Sequence, residues 1–501
     1  SAARSLTQHK ENYTVQTGFG LRSFTGKMKI LHLSWFAFFV TFMVWFNHAP
    51  LIIAIKTSLG LSQSEVATLL TLNVALAIPA RILICMLTDR YGPRLVYSAL
   101  LVICSLPCFA FAFAESFAQA ALARFLLGSI GAGFVIGIRL VSEWFPANEL
   151  GRAEGIYGGW GNFGSAAAAM ALPGLALWFG GEDGWRYAIA LTGVISLLSG
   201  VLFYRTVSDT PKGSTYFKPK QLGALEVTSK GDFFLLLVMK VPVFLALALL
   251  TWKLSSAGVD LLGESTALGL YGLLLLGYAY DVHQIWRVNR GVFYQVVPEL
   301  HRYEFRQVAI LNVLYFATFG SELAVISILP LYFADVFDLG MLSAGILASS
   351  YAFMNLFSRP AGGLISDRFG RKSSLLVLII GSAAGYFVMS MVNASWPLTL
   401  AVAAAMACSF FVQAGEGAVF AMVPLIKRRL TGQIAGMTGA YGNIGAVAYL
   451  SMLSFVTYEM FFLIIALSAL IGFAALLFLV EPQGHMAEIR DDGTVELIEV
   501  T

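Results

Sequence analysis

Arg81 and Arg359 are the residues whose type and placement point to chemistry. Arg81 closes the apolar run Leu-Asn-Val-Ala-Leu-Ala-Ile-Pro-Ala-Arg, and Arg359 closes Ser-Tyr-Ala-Phe-Met-Asn-Leu-Phe-Ser-Arg. After the same interval each is followed by Asp-Arg-aromatic-Gly, at Asp89 and at Asp367. A guanidinium near the middle of a bilayer costs roughly 2.5 to 3.5 kcal/mol on insertion scales, so a matched pair points to a site for a small anion. The planar fork suits a flat, delocalised monoanion, because its parallel N–H groups meet a pair of oxygens. The competing reading is that each arginine pairs with a buried carboxylate, although the two segments carry no other acid at that depth.

The elements that must position such a pair follow from composition. The 501 residues are 58% hydrophobic and 12% charged, with a mean hydropathy of +0.76, which identifies a polytopic membrane protein. Apolar runs of about 20 residues recur, and the absence of long alternating segments argues against a membrane β-barrel, so the fold class is all-α. Spans are expected near Ile30–Ala54, Val66–Thr88, Leu95–Ala114, Phe117–Val141, Gly155–Phe179 and Trp185–Tyr204. Two more fall near Asp232–Trp252 and Thr266–His283. A second six follow near Val308–Ala334, Leu342–Ile365, Ser373–Val392, Pro397–Pro424, Gly432–Thr457 and Tyr458–Val480.

This gives a cytoplasmic tail (1–29), a six-helix half (30–205), a central insertion with two extra helices (206–306), a second six-helix half (307–480) and a C-terminal tail (481–501). Lys and Arg collect in alternate connections, as at Arg90/Arg94, Arg368/Arg371/Lys372 and Lys427/Arg428/Arg429, so both termini read as cytoplasmic in a cell membrane. The insertion reads as a peripheral helical pair in which Lys240 snorkels toward the cytoplasmic interface. Cys85, Cys104, Cys108 and Cys408 lie in apolar segments, where packing thiols rather than disulfides or metal ligands are expected. The glycosylation-like Asn12-Tyr-Thr and Asn393-Ala-Ser read as accidental, and the acidic C-terminal tail as a solvated end.

The halves repeat each other. Gly155-Ile-Tyr-Gly-Gly-Trp-Gly-Asn-Phe-Gly164 mirrors Gly436-Met-Thr-Gly-Ala-Tyr-Gly-Asn-Ile-Gly445. Transporters built from such halves place their substrate near the midplane between the repeats and rock one against the other, which would set the two arginines face to face. The glycines, Gly161 and Gly442 among them, allow helices to approach closely. That approach would let Asn162 and Asn443 donate to an anion. Tyr315 and Phe319 share a helix face at four-residue spacing and read equally as core packing. Glu322 and Glu416 are intramembrane carboxyls that could carry protons or neutralise an arginine such as Arg124. Arg139 with Glu143, and Asp89 and Asp367, sit where gating salt bridges are expected.

Asp89-Arg-Tyr-Gly-Pro-Arg94 and Asp367-Arg-Phe-Gly-Arg-Lys372 resemble the loop motif after the second and eighth helices of the major facilitator superfamily. The paired glycine signatures resemble those of its nitrate/nitrite porter family. Trp45-Phe-Asn-His-Ala-Pro50, Tyr315-Phe-Ala-Thr-Phe-Gly320 and Ala414-Gly-Glu-Gly-Ala-Val-Phe420 support this. Glu322 and Glu416 make the chain look closer to the assimilatory plant and cyanobacterial type, and the insertion looks like the cyanobacterial branch. The resemblance implies a monomeric 6+6 bundle that imports nitrate and nitrite. It also implies that Arg81 and Arg359 bind substrate, that Tyr315 and Phe319 flank it, and that Phe46 and Asn47 are further contacts.

Inward movement of an anion against about 100 mV costs roughly 2.3 kcal/mol, so uptake needs protons or counter-exchange. Proton symport is expected through Glu322 and Glu416, with nitrate/nitrite exchange as the alternative. A carrier of organic carboxylates is disfavoured by the near absence of His and Lys in the core. A non-transporting anion receptor is disfavoured by a C-terminal tail too short for a signalling domain. No cofactor, metal site, enzymatic triad, nucleic-acid surface or ATP-binding loop is expected.

Overall fold

A computed structural model describes residues 20–481 except 146, 181–182, 212–223, 295–301 and 428–429, together with 485–489 and 495–499. Arg4, Lys10, Asn12, Lys212, Lys218, Lys220, Arg428, Arg429, Asp491 and Asp492 lie outside the described residues. Twelve stretches of described helix are long and apolar enough to cross a membrane.

In the first half, α1 (Gly26–Trp45) and α2 (Ile52–Leu59) form the first span, and α3 (Gln63–Ala75) with α4 (Ala77–Tyr91) the second. The third is α5 (Pro93–Ala112). The fourth joins α6 (Phe117–Leu127) to α7 (Gly133–Trp144) through a 3-10 turn, Gly128–Ala132, and α8 (Ala147–Phe179) and α9 (Gly184–Thr206) complete the six. The insertion is the hairpin of α10 (Lys230–Leu254) and α11 (Glu264–Asn289). The second half repeats the plan: α12 (Phe305–Ala317) with α13 (Phe319–Phe337), α14 (Met341–Phe353) with α15 (Asn355–Phe369), then α16 (Arg371–Met391), α17 (Leu398–Ile426), α18 (Thr431–Met452) and α19 (Tyr458–Leu476). Where a solvated tail was expected, β1 (His485–Ile489) pairs antiparallel with β2 (Val495–Glu499).

Hydropathy does not reveal that five spans are broken, and the breaks matter for the site. Pro79 has no N–H to give the carbonyl of Ala75, and α3 ends there. The second span of the first half breaks at Leu76 and the second span of the second half at Met354, each five residues before its arginine (76 to 81, 354 to 359). The first span of the second half breaks at Thr318, whose hydroxyl bonds back to the Leu314 carbonyl at 2.9 Å. At the opposite end of those helices the repeat is equally close. Gly92 and Gly370 both hold φ +88, a conformation that glycine adopts without strain. The amides of Arg94 and Arg371 that follow are capped by the carboxylates of Asp209 and Glu481, at 2.7 and 2.6 Å.

The hairpin packs on the outside of the bundle against α3, α12 and α18. Lys240 does not snorkel freely; it pairs with Asp281 of α11 at 3.1 Å. Tyr441 donates to the Met239 carbonyl at 2.6 Å, in the turn before Pro242, which lies inside the unbroken α10.

Candidate functional site

Arg81 and Arg359 meet at the centre, only 0% and 2% exposed. Phe134 of α7 and Phe319 of α13 bracket both guanidiniums. Arg81 Cζ stands 5.6 and 5.1 Å from these two ring centres, and Arg359 Cζ 5.3 and 5.7 Å. Each such contact contributes about 0.5 to 2 kcal/mol, which offsets part of the cost of drying a cation.

The paired glycines make this approach possible. A Cβ on Gly158 would lie 2.9 Å from Arg359 Nε, and one on Gly439 would lie 2.7 Å from Arg81 Nη1. One turn further, Gly161 lies against Phe38 while Gly442 lies against Phe319 and Tyr315. The two signatures thus hold the opposite half's arginine and their own half's aromatics in equivalent positions.

The arginines differ in what holds them. Arg81 donates only to backbone, from Nε to Gly131 O at 3.2 Å and from Nη1 to Gly439 O at 2.6 Å, and its Nη2 has no partner among the described residues. Arg359 donates from Nη1 to Glu416 Oε2 at 2.8 Å and from Nη2 to Tyr315 Oη at 2.9 Å. The carboxylate-pairing alternative therefore holds for Arg359, with an acid supplied by α17. Glu322 accepts from Asn355 at 2.5 Å, Gln413 at 3.2 Å and Asn162 at 3.5 Å. Neither acid neutralises Arg124, which is held by neutral groups: Asn73 Oδ1, Asn47 Oδ1 and the carbonyls of Val44 and Trp45.

Tyr315 and Phe319 stack at 4.9 Å beside the pair. Asn162 reaches Glu322 and Asn355 across the interface between the halves, and Asn443 Nδ2 donates to Gly439 O at 3.3 Å. Asn47 does not join this group; it serves Arg124 and donates to Thr192 at 2.8 Å. Phe46 packs with Trp45, Phe42 and His48. At the Asp89 end, Arg139 pairs with Glu143 at 2.7 Å and reaches Asp89 at 3.6 Å, while Asp367 pairs with Arg371 at 3.0 Å. His48 and Lys253 are buried basic residues, but Lys253 points to the Leu450 carbonyl and His48 stacks with Phe46 at 6.5 Å.

Sequence reasoning missed Phe134, Asn355 and Gln413. Asn355 precedes Arg359 by one helical turn and Gln413 precedes Glu416 by three residues, so a search for polar residues on the arginine and glutamate faces would have found both. A separate cavity of ≈ 100 Å³ lies between α4, α18 and α10, bordered by Asp89, Lys240, Gln433 and Tyr441.

A family model described as Major Facilitator Superfamily matches residues 34–287 and 311–498. The nitrate/nitrite transporter NrtP of Picosynechococcus sp. is 48% identical, over 94% of this chain and 96% of its own length. NrtP of Nostoc punctiforme is 45% identical over 93% of this chain and 95% of its own length. The high-affinity nitrate transporter 2.3 of Oryza sativa subsp. japonica is 30% identical over 86% and 73%. Among solved structures, the xylose transporter XylE from E. coli, in a partially occluded inward open conformation, superposes with a TM-score of 0.60 at 15% identity, covering 91% of this chain and 98% of XylE. That likeness is one of fold.

Proposed function

Because this chain belongs to the Major Facilitator Superfamily and to its nitrate/nitrite transporters, we propose that it imports nitrate, and nitrite with it, by proton-coupled alternating access. It is a transporter and not an enzyme. Arg81 and Arg359 hold the anion between the rings of Phe134 and Phe319, with Asn162, Asn443 and Tyr315 at its edge. Both α10 and α11 cross the bilayer, giving fourteen spans with both termini cytoplasmic. In support, α11 is 26 residues long and exposes Leu268, Leu273, Leu275 and Leu276.

The observation that carries the proton coupling is the Arg359–Glu416 pair opposite an Arg81 whose Nη2 has no partner among the described residues. Ionised, Arg81, Arg359, Glu322 and Glu416 sum to zero charge. An anion added to that dry site leaves it at minus one, and burying an uncompensated charge is costly. A proton taken by Glu416 restores neutrality and frees Nη1 of Arg359 to grip the anion from the second side. The same atoms thus bind substrate and proton together.

Labelled nitrate uptake into proteoliposomes tests this. An inward proton gradient should drive accumulation by the native protein. Glu416→Gln, which cannot carry the proton, should lose the gradient dependence while still exchanging external for internal nitrate. Uptake supported only by internal nitrite, with no response to the gradient, would establish exchange in place of symport.

A further inference from the structure

Glu154 on α8 has no part in the site described above, yet it is only 6% exposed and its Oε1 has no hydrogen-bond partner among the described residues. The register of α8 places it. Four residues on, Gly158 backs onto Arg359 Nε, and at the next residue, Gly155, a Cβ would stand 3.4 Å from Pro360 Cα. Tyr157 faces α7, where its hydroxyl donates to Gly133 O at 3.0 Å. Residues i and i+4 share a helix face, and side chains lean toward the helix N-terminus. Glu154 therefore sits one turn, about 6 Å along the axis, from the level of Arg359, on the side of the cytoplasmic end in the orientation proposed above.

The internal repeat supplies a control. One turn before Gly439, behind Arg81, the equivalent residue is the buried Ala435. Glu322 and Glu416 also stand around Arg359, whereas Arg81 forms no ion pair among the described residues. Proton-carrying groups are thus gathered on one side of a site that is otherwise doubled. The ionisable groups at this end of the elements packed against α8 are Lys27, Lys29 and His32 on α1, Arg139 and Glu143 on α7, Arg205 on α9, Arg359, Asp367 and Arg368 on α15, and Lys427 after α17. Lys27 pairs with Glu149, Arg139 with Glu143 and Asp89, and Arg359 with Glu416, so none of these three neutralises Glu154.

We propose that Glu154 is the inner proton-exchange group of the transport cycle, an inference that rests on the proton-coupled reading above. With the halves open toward the cytoplasm, the O–H bond of protonated Glu416 breaks. The proton passes through vestibule water to the Glu154 carboxylate, forms an O–H bond there and then leaves to cytoplasmic water. Glu416, ionised again, returns to Nη1 of Arg359 and displaces the anion from that fork.

The test compares the full-length native protein, Glu154→Gln and Glu154→Asp in proteoliposomes. Two rates are read: nitrate uptake driven by a proton gradient, and nitrate/nitrate exchange at equal pH, which needs no net proton release. Glu154→Gln should lose about tenfold or more of the driven uptake while keeping exchange within about twofold. Glu154→Asp should keep both rates and shift the pH profile of driven uptake. Glu154→Gln with both rates intact, or with both lost alike, overturns the proposal. A native protein that ignores the proton gradient overturns the coupled reading itself, and that failure is seen without any variant.

Discussion

At the scale of single residues, the two arginines are distinguished by their acceptors. Arg81 is tethered by two carbonyls, whereas Arg359 is tethered by a carboxylate and a phenol. A proton can release the carboxylate; the phenol stays and orients the fork. Tyr315→Phe keeps the stack on Phe319 but removes the acceptor for Nη2, and a hydrogen bond to a charged group contributes about 1.5 to 3 kcal/mol. The half-saturation concentration for nitrate should rise about tenfold or more, with the maximal rate less affected; an unchanged value would remove Tyr315 from the site. The arginines were legible in the sequence because a guanidinium in an apolar run is rare and here occurs twice in the same frame. Asn47 shows that a polar residue in a signature stretch can serve a different buried cation, here Arg124. Phe134 was missed because one more phenylalanine in an apolar helix carries no polarity signal, though its ring faces both guanidiniums.

At the scale of elements, close helix approach decides where the guanidiniums lie. Gly158→Ala and Gly439→Ala each put a methyl within van der Waals radius of the facing arginine, which must then shift. A displacement of about 1 Å in such a site costs about 100-fold in rate, so transport should fall by at least tenfold while thermal unfolding in detergent changes little. Gly174→Ala on the same helix meets open space and should transport normally. The hairpin of α10 and α11 should behave oppositely. Tyr441→Phe removes the donor to the Met239 carbonyl and should cost about 1 kcal/mol of stability without changing nitrate affinity. If affinity falls instead, the hairpin acts on the site and is not peripheral. The twelve described stretches long and apolar enough to cross a membrane were legible from hydropathy, because burying twenty residues in lipid leaves little choice of composition. Their breaks at Leu76, Thr318 and Met354 were not, since they depend on which carbonyl loses its donor.

At the scale of the whole molecule, hydrogen bonds between the halves pass through the site. Asn162 of α8 reaches Glu322 and Asn355, and Arg81 of α4 holds the Gly439 carbonyl of α18. Rocking one half against the other must break these contacts, and in the proposed cycle charge in the site sets when that happens. The 6+6 plan was visible in the sequence as matched glycine and arginine frames, but the asymmetry that places the acids beside Arg359 emerged only from packing. The central claim is that two guanidinium forks from opposite halves grip one anion. It is tested most directly by labelled nitrate uptake for the native protein, Arg81→Lys and Arg359→Lys. Lysine keeps the charge and loses the planar fork. Both variants should fall by about 100-fold, since each loses at least one charge-assisted bond of about 1.5 to 3 kcal/mol together with its geometry. Near-native uptake by either lysine variant would contradict the account.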